Sequence, residues 1–429
     1  MMNRRQFALV FPAIGLAACG GGSGGGDAVG LGPVSTDPGT LDPPPAPDPS
    51  DPAREIVSSK PPGYVLAAEP AQRVNTGTVA SPRLVSVEAL RDGGFSVLWS
   101  EGDSRLRLRQ YDADGLPSAI DTQVTPNAEA GERIHHVTGA IMADGTWVAA
   151  WVSDRPAPDI PLEVGVFNTR VHAQRFAADG NAMTAPVVVA SHTYRSHSRS
   201  STLGDVQIAP LSDGNYVVGW SIPSFSVEGF RYHLSNRIYS PAHEPLIDAF
   251  DIGVRGARGG SYRLSPDAWG GYVATVEQFD EDDRPVTHMV HLGPEPQLQL
   301  TAGFHGALLL PIVQRRYVHI RRVDGELVGL EMLDDAGNIL SRRDVPSLAH
   351  EARVLADGSF VVLWQSGTAV SSQLFDREAH PLDRPFPVAQ EDRAPKLAPL
   401  AGGGFVISWT TGTGNLQQIH AQRFVEIPQ

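Results

Sequence analysis

The stretch Ser191 to Asp205 gathers His192, Tyr194, Arg195, His197 and Arg199. In a chain with a formal net charge of −14 this is a local cationic patch. Guanidinium groups offer paired planar donors, which suit a carboxylate or phosphate. A solvated loop is the competing reading. The next long connection carries Phe225, Phe230, Tyr232 and His233, whose rings could stack on a sugar or peptide or fold back over their own loop. Asp280, Glu281, Asp282 and Asp283 offer the hard oxygen atoms that calcium takes, yet a run of like charges is ordinarily a solvated turn. His288 and His291 lie three apart on an expected strand, so they face opposite sides and form no metal pair. The chain has no G-x-S-x-G elbow, P-loop or H-E-x-x-H. No catalytic residue, metal ligand or cofactor follows from these patterns. The candidate ligand contacts are His192, Tyr194, Arg195, His197, Arg199, Phe225, Phe230 and Tyr232.

These residues must be held by a repeating framework. LRDGGFSVLW ends at Trp99, and the same turn-and-strand unit closes at Trp151, Trp220, Trp364 and Trp409. Two degenerate copies are read as ending at Val276 and Ile312. The mean spacing is about 52 residues, a period that signals tandem repeats. Each copy divides into four short apolar runs separated by Gly- and Asp-rich turns, as in LVSVEAL, FSVLW, RLRLRQY and IDTQV of the first copy. Four strands per period fit a propeller blade, and the expectation is an all-β propeller of seven four-stranded blades over 54–429. The Trp residues recur at one offset, which argues for packing between blades rather than sugar stacking. The DADG-type turns at Asp112 and Asp114, and at Asp334 and Asp335, lack the further oxygen ligands of a calcium loop and are read as plain turns. The repeat pattern resembles the DGGF-type tandem repeats of large bacterial surface and hemolysin-like proteins. That resemblance implies architecture and says nothing of activity.

The last copy stops after AQRFVEIPQ with no fourth strand, while Ala68 to Asn75, ahead of the first copy, has the character of one. Joining the two closes the ring and removes an open sheet edge. In such a meander the tight turns share one face. The longer second-to-third connections of blades two and three emerge on the other, where binding usually resides.

The leader carries Arg4 and Arg5 and then an apolar run from Ala8 to Ala18, too short to span a bilayer but suited to a signal peptide over 1–18. It ends LAAC. That ending resembles the lipobox of bacterial lipoproteins, which implies cleavage before Cys19 and diacylglycerol on its sulfur. An ordinary secretory leader is the alternative. Arg4 and Arg5 followed by Gln6 and Phe7 are similar to a twin-arginine export signal, with Asn3 where Ser or Thr is usual. Gly20 stands where inner-membrane lipoproteins carry Asp, so the resemblance implies the outer membrane. Residues 19–53, Gly-rich and then Pro-rich, read as a disordered tether. Cys19 is the one cysteine, so no internal disulfide forms. The acidic balance argues against nucleic acid as a partner.

The combined expectation is a monomeric, lipid-anchored cell-envelope protein that binds a protein or glycan partner. The alternative is a hydrolase or lyase acting on envelope polysaccharide. Cys19→Ser is expected to abolish incorporation of radiolabelled palmitate. Equal labelling of both proteins would overturn the anchor.

Overall fold

The computed structural model describes residues 55–428 outside the segments 61–63, 76–81, 103–104, 120, 125–131, 157–165, 196–203, 227–228, 253–257, 268–270, 280–284, 294–298, 303–307, 313–315, 324–326, 346–348, 367, 391–394 and 414–415. The chain divides into two units, Met1–Pro45 and Ala46–Gln429, and every described residue belongs to the second. That unit opens with β1 (Glu55–Lys60), β2 (Tyr64–Ala68) and β3 (Gln72–Arg73). Blade 1 follows, with β4 (Pro82–Ala89), β5 (Phe95–Glu101), β6 (Arg105–Tyr111) and β7 (Thr122–Val124) in consecutive antiparallel order. Blade 2 comprises β8 (Arg133–Ile141), β9 (Trp147–Pro156), β10 (Val166–Phe176) and β11 (Val187–Arg195). Blade 3 comprises β12 (Gly204–Pro210), β13 (Tyr216–Ser226), β14 (Gly229–Tyr239) and β15 (Phe250–Asp251). In blade 4 stand β16 (Arg258–Pro266), β17 (Tyr272–Phe279), β18 (Pro285–Leu292) and β19 (Gln299–Ala302). In blade 5 stand β20 (Leu308–Ile312), β21 (Arg316–Val323), β22 (Leu327–Leu333) and β23 (Ile339–Val345). Blade 6 has β24 (Ala349–Val354), β25 (Phe360–Ser366), β26 (Ala369–Phe375) and β27 (Phe386–Gln390). Blade 7 has β28 (Lys396–Pro399), β29 (Phe405–Thr411) and β30 (Gln418–Pro428). The architecture is an all-β propeller of seven blades.

The turns explain the regularity. In the first hairpin Leu90 N–H donates to Gly94 O, Gly93 N–H donates to Leu90 O, and Asp92 Oδ1 accepts from Gly94 N–H at 3.0 Å. Gly93 has φ 89°, a conformation that disfavours side chains. The two backbone hydrogen bonds recur from Met142, Leu211, Leu355 and Leu400. The third-to-fourth turns are built alike, and Asp112 and Asp334 each accept two backbone N–H groups through Oδ1. Their oxygens serve the turn, as the plain-turn reading expects.

The ring closes through the N-terminal segment. β2 pairs with β30 from Tyr64↔Pro428 to Ala68↔Phe424, and β3 continues along the same edge at Gln72↔Ala421 and Arg73↔His420. Together they are the missing fourth strand of blade 7, and β1 adds a further strand outside β2. Asn75 Oδ1 accepts from Ile419 N–H at 2.8 Å.

Six apolar clusters among the described residues each join consecutive blades. Trp99, Trp220, Trp364 and Trp409 sit in four of them, fully or almost fully buried, so they are packing residues. Blades 4 and 5 are linked by a buried polar chain: His291 Nε2 meets Asp267 Oδ2 at 2.5 Å, and its Nδ1 meets the Tyr317 hydroxyl at 2.9 Å. Blades 2 and 3 have a counterpart in His243, which bonds the Tyr216 hydroxyl and the Ala173 carbonyl.

Two expectations change. Ile312 ends the first strand of blade 5, and the second strand is β21, so the position matching Trp99 is Arg321. The apolar run Leu308–Ile312 imitated a second strand because it is buried throughout. The extra length after Trp220 lies in longer strands, and after Trp151 part of it does, with residues 157–165 outside the described residues. β13 and β14 pair continuously to Ser226↔Gly229, with Phe225 opposite Phe230 and Pro223 opposite Tyr232.

Removing β2 and β3 would expose Val65, Leu66 and Val74, all buried. At ~2 kcal/mol each this costs about 6 kcal/mol, comparable with the whole stability of a domain, about 5–15 kcal/mol. A variant starting at Glu55 is expected to melt with the full chain, whereas one starting at Thr76 melts lower and aggregates. Equal melting temperatures and solubility would refute closure by the N-terminal strands.

Candidate functional site

The first strands β4, β8, β12, β16, β20, β24 and β28 stand side by side around the axis, with contacts between most neighbouring blades and across the seam from β28 to β4. Side chains of a strand alternate between the two faces of its sheet, and polar residues at alternate positions of these first strands line a common cavity. Counting back from the turn residue of each blade gives the pattern. Four positions before it stand Ser86, Thr138, Gln207, Arg263, Glu351 and Lys396, and two before it stand Glu88, Ser265 and Arg353. All nine line one cavity of about 650 Å³, counted with its open mouth.

The lining is lopsided. Arg263, Glu351, Arg353, Lys396 and Glu88 come from blades 4, 6, 7 and 1, while blades 2 and 3 contribute Thr138, Gly139, Ala140, Gln207 and Ile208. A shift in pairing register interrupts the inner strand of blades 1, 2, 3, 4 and 6 just before these residues, between Leu84 and Ser86 in blade 1 and between Ala349 and Glu351 in blade 6. Such bulges re-aim the side chains that follow.

Glu351 is buried, and its Oε1 lies 2.8 Å from Arg353 Nη2. Burial opposes its ionisation, but Arg353, Lys396 and Arg263 prevail and hold its carboxyl below the usual range. Glu88 behaves oppositely. Burial, opposed by Arg353 and reinforced by the Glu351 charge, pushes it up to about 7. Burial also lowers Lys396, against the pull of Glu351. Burial and the Arg263 charge take His350 down to about 4, so it is neutral at pH 7. Arg263 Nη1 donates to the His350 carbonyl at 2.8 Å, fixing blade 4 to blade 6 across the cavity. The site thus offers three cations, one ionised carboxylate and one carboxyl poised near neutrality. Anion binding and proton exchange are within its chemistry.

The cavity lining does not include the loop residues nominated from sequence. His192 and Tyr194 pair in β11 with Thr169 and Phe167, and Arg195 ends that strand opposite Val166. His192 is half-buried. Phe225, Phe230 and Tyr232 lie on the β13–β14 hairpin, while the side chains of Tyr194, Arg195, Phe225, Phe230 and Tyr232 are outside the described residues. His197, Arg199 and the acidic run 280–283 are also outside them. His291 belongs to the blade 4–5 link, and no three His, Cys, Asp or Glu among the described residues gather into a metal set. The channel charges were missed because the repeat was aligned on its second strand. Aligning the first strands on the same turns would have stacked Glu88, Arg353, Glu351 and Lys396.

No protein-family model and no curated protein matches the sequence. Among solved structures the chain resembles BBS1N in its complex with ARL6DN, at 11% identity and TM-score 0.45 over 85% of this chain and 97% of that one. It is also similar to the β-propeller domain of the Trilobed protease from Pyrococcus furiosus, at 9% identity and TM-score 0.43 over 82% and 96%. A third likeness is the α-L-arabinanase of Penicillium chrysogenum complexed with arabinobiose, at 12% identity and TM-score 0.44 over 72% and 99%. These likenesses are distant, and the fold stands on the seven sheets themselves.

An unfolded Glu88 titrates near 4.5 and the folded one near 7. Between those values the native chain keeps a proton that the unfolded chain has released, so stability falls as pH rises through that window. The full shift would correspond to more than 3 kcal/mol, and water in the channel reduces it to about 2 kcal/mol. Glu88→Gln is therefore expected to be more stable than the native chain at pH 8 by about that amount, and to lose the advantage at pH 4.5. Denaturant titrations showing parallel pH profiles for the two proteins would refute the half-buried, proton-holding Glu88.

Proposed function

We propose that this protein is a lipid-anchored binding module of the cell envelope, with its ligand seated in the propeller channel. The observation that supports this most directly is the convergence of Glu88, Arg263, Glu351, Arg353 and Lys396 on one cavity. Charges of both signs cost free energy to hold together in a partly dry space, and a packed core needs none of them. The leader reading supplies the address: diacylglycerol on Cys19, favouring the outer membrane. In this proposal the elongated strands of blades 2 and 3 guide a larger partner toward the channel, with Arg195 and Arg199 as its outer contacts. A glycan suits the channel better than a folded protein surface, because the candidate groups converge inside a concave cavity rather than across an exposed face.

One observation favours a second reading, a hydrolase acting on polysaccharide. Glu88 and Glu351 are pushed in opposite directions, as a general acid and its ionised counterpart must be. Against it, Glu351 is tied to Arg353 and cations outnumber carboxylates in the cavity.

A glycan array probed with the full chain and with Thr138→Trp, which fills the channel, distinguishes channel binding from surface binding. Loss of the array signal in the variant is expected. Retained signal would overturn the channel reading. Release of reducing ends by the native chain, lost in both Glu88→Gln and Glu351→Gln, would establish the hydrolase instead.

A further inference from the structure

We infer that the channel ligand is a carboxylate carried on a hydroxylated frame, as in a hexuronate, with its carboxylate among Arg263, Arg353 and Lys396. This inference rests on the channel-binding reading and narrows the ligand to one chemical class.

The cation set comes first. Arg353 is shared with Glu351, and Arg263 donates to a backbone carbonyl. Lys396 has no hydrogen bond or ion pair reaching its Nζ among the described residues, although Glu351 and Glu88 act on it through space. A half-buried ammonium without a direct partner is left by the fold for something else to meet. An anion from outside is the complementary group. The net charge of −14 repels anions at long range, so recognition must come from these close contacts.

The neutral part of the lining indicates what carries the carboxylate. Ser86 Oγ is buried in the wall and makes no hydrogen bond within the protein. It stands at the level of Thr138, Gln207 and Lys396 by the count from the turns. Ser265 adds a hydroxyl nearby. Hydroxyl and amide groups that donate and accept match sugar hydroxyls and offer little to an aliphatic acid.

Glu88 couples this recognition to protons. The charged groups acting on it are Glu351 and Arg353 on β24 and Lys396 on β28; Glu351 in turn faces Arg263 on β16 and His350 on β24, and His350 faces Glu277 on β17. His350 stays neutral above about pH 4. An incoming carboxylate competes with ionised Glu88 for the same cations, so it binds best while Glu88 holds its proton. With Glu88 titrating near 7, the protonated share falls about tenfold between pH 6 and pH 8, and affinity falls with it.

Titration calorimetry on the full chain in detergent tests this with D-glucuronate, methyl β-D-glucuronide, D-glucose and acetate. Glucuronate or its glycoside is expected to bind at least tenfold more tightly than glucose or acetate, and about tenfold more tightly at pH 6 than at pH 8. The glycoside binding more tightly than the free acid would assign the ligand to an acidic glycan, and the reverse to a free sugar acid. Lys396→Met should weaken glucuronate at least tenfold, and Ser86→Ala should weaken it without disturbing the melting temperature. Glu88→Gln should flatten the pH dependence. Glucose binding as tightly as glucuronate, or affinity unmoved by Lys396→Met and Ser86→Ala, would overturn the inference. No heat from either glucuronate at millimolar concentration would do the same. Neutral sugar binding that Thr138→Trp abolishes would leave the channel reading standing while the acidic ligand falls.

Discussion

A sheet that stops at a third strand leaves a row of amide and carbonyl groups open to any other strand. In blade 7 that edge belongs to β30, and the segment Tyr64 to Arg73 covers it. Because this pairing joins the two ends of the described chain, it also sets how the first and last blades face each other. The candidate site depends on that seam. Glu88 stands on the first strand of blade 1 and Lys396 on the first strand of blade 7, next to each other around the ring. Their mutual influence exists only while the seam is shut.

The repeat was legible because its strongest signals are physical necessities. Gly93, Gly145, Gly214 and Gly358 have positive φ, and such turns write themselves into the sequence. Trp99, Trp220 and Trp364 fill equivalent spaces between blades, so one residue type recurs. Blade 5 was misaligned because its second strand, β21, lacks both signals and carries Arg321 at the closing position. The degenerate hydrophobic run before it was the better imitation. Closure was legible because a missing strand at one end matched a surplus one at the other.

The site was illegible for a different reason. Its charged residues come from four blades, and the six residues four positions before the turn are all different. Glu88 and Arg353 occupy the same place in blades 1 and 6 with opposite charge. Where packing decides, the copies agree. Where it does not, they diverge, and that divergence marks the channel. A tandem array offers this contrast within a single chain. His243 shows the complementary case: it takes φ 67° in a turn where blades 1, 2 and 5 use glycine, and its ring links Tyr216 to the Ala173 carbonyl.

The outermost strand, β1, pairs only with β2, and β2 in turn seals blade 7. Any pull delivered through residues before Glu55 reaches β1 first. The hairpin then behaves as a mechanical fuse: β1 can peel away, strand by strand in load order, while the hydrogen bonds between β2 and β30 still hold. In the anchored arrangement proposed above, a load would be absorbed by a segment that contributes nothing to the channel, and the ring would yield only after that reserve was spent.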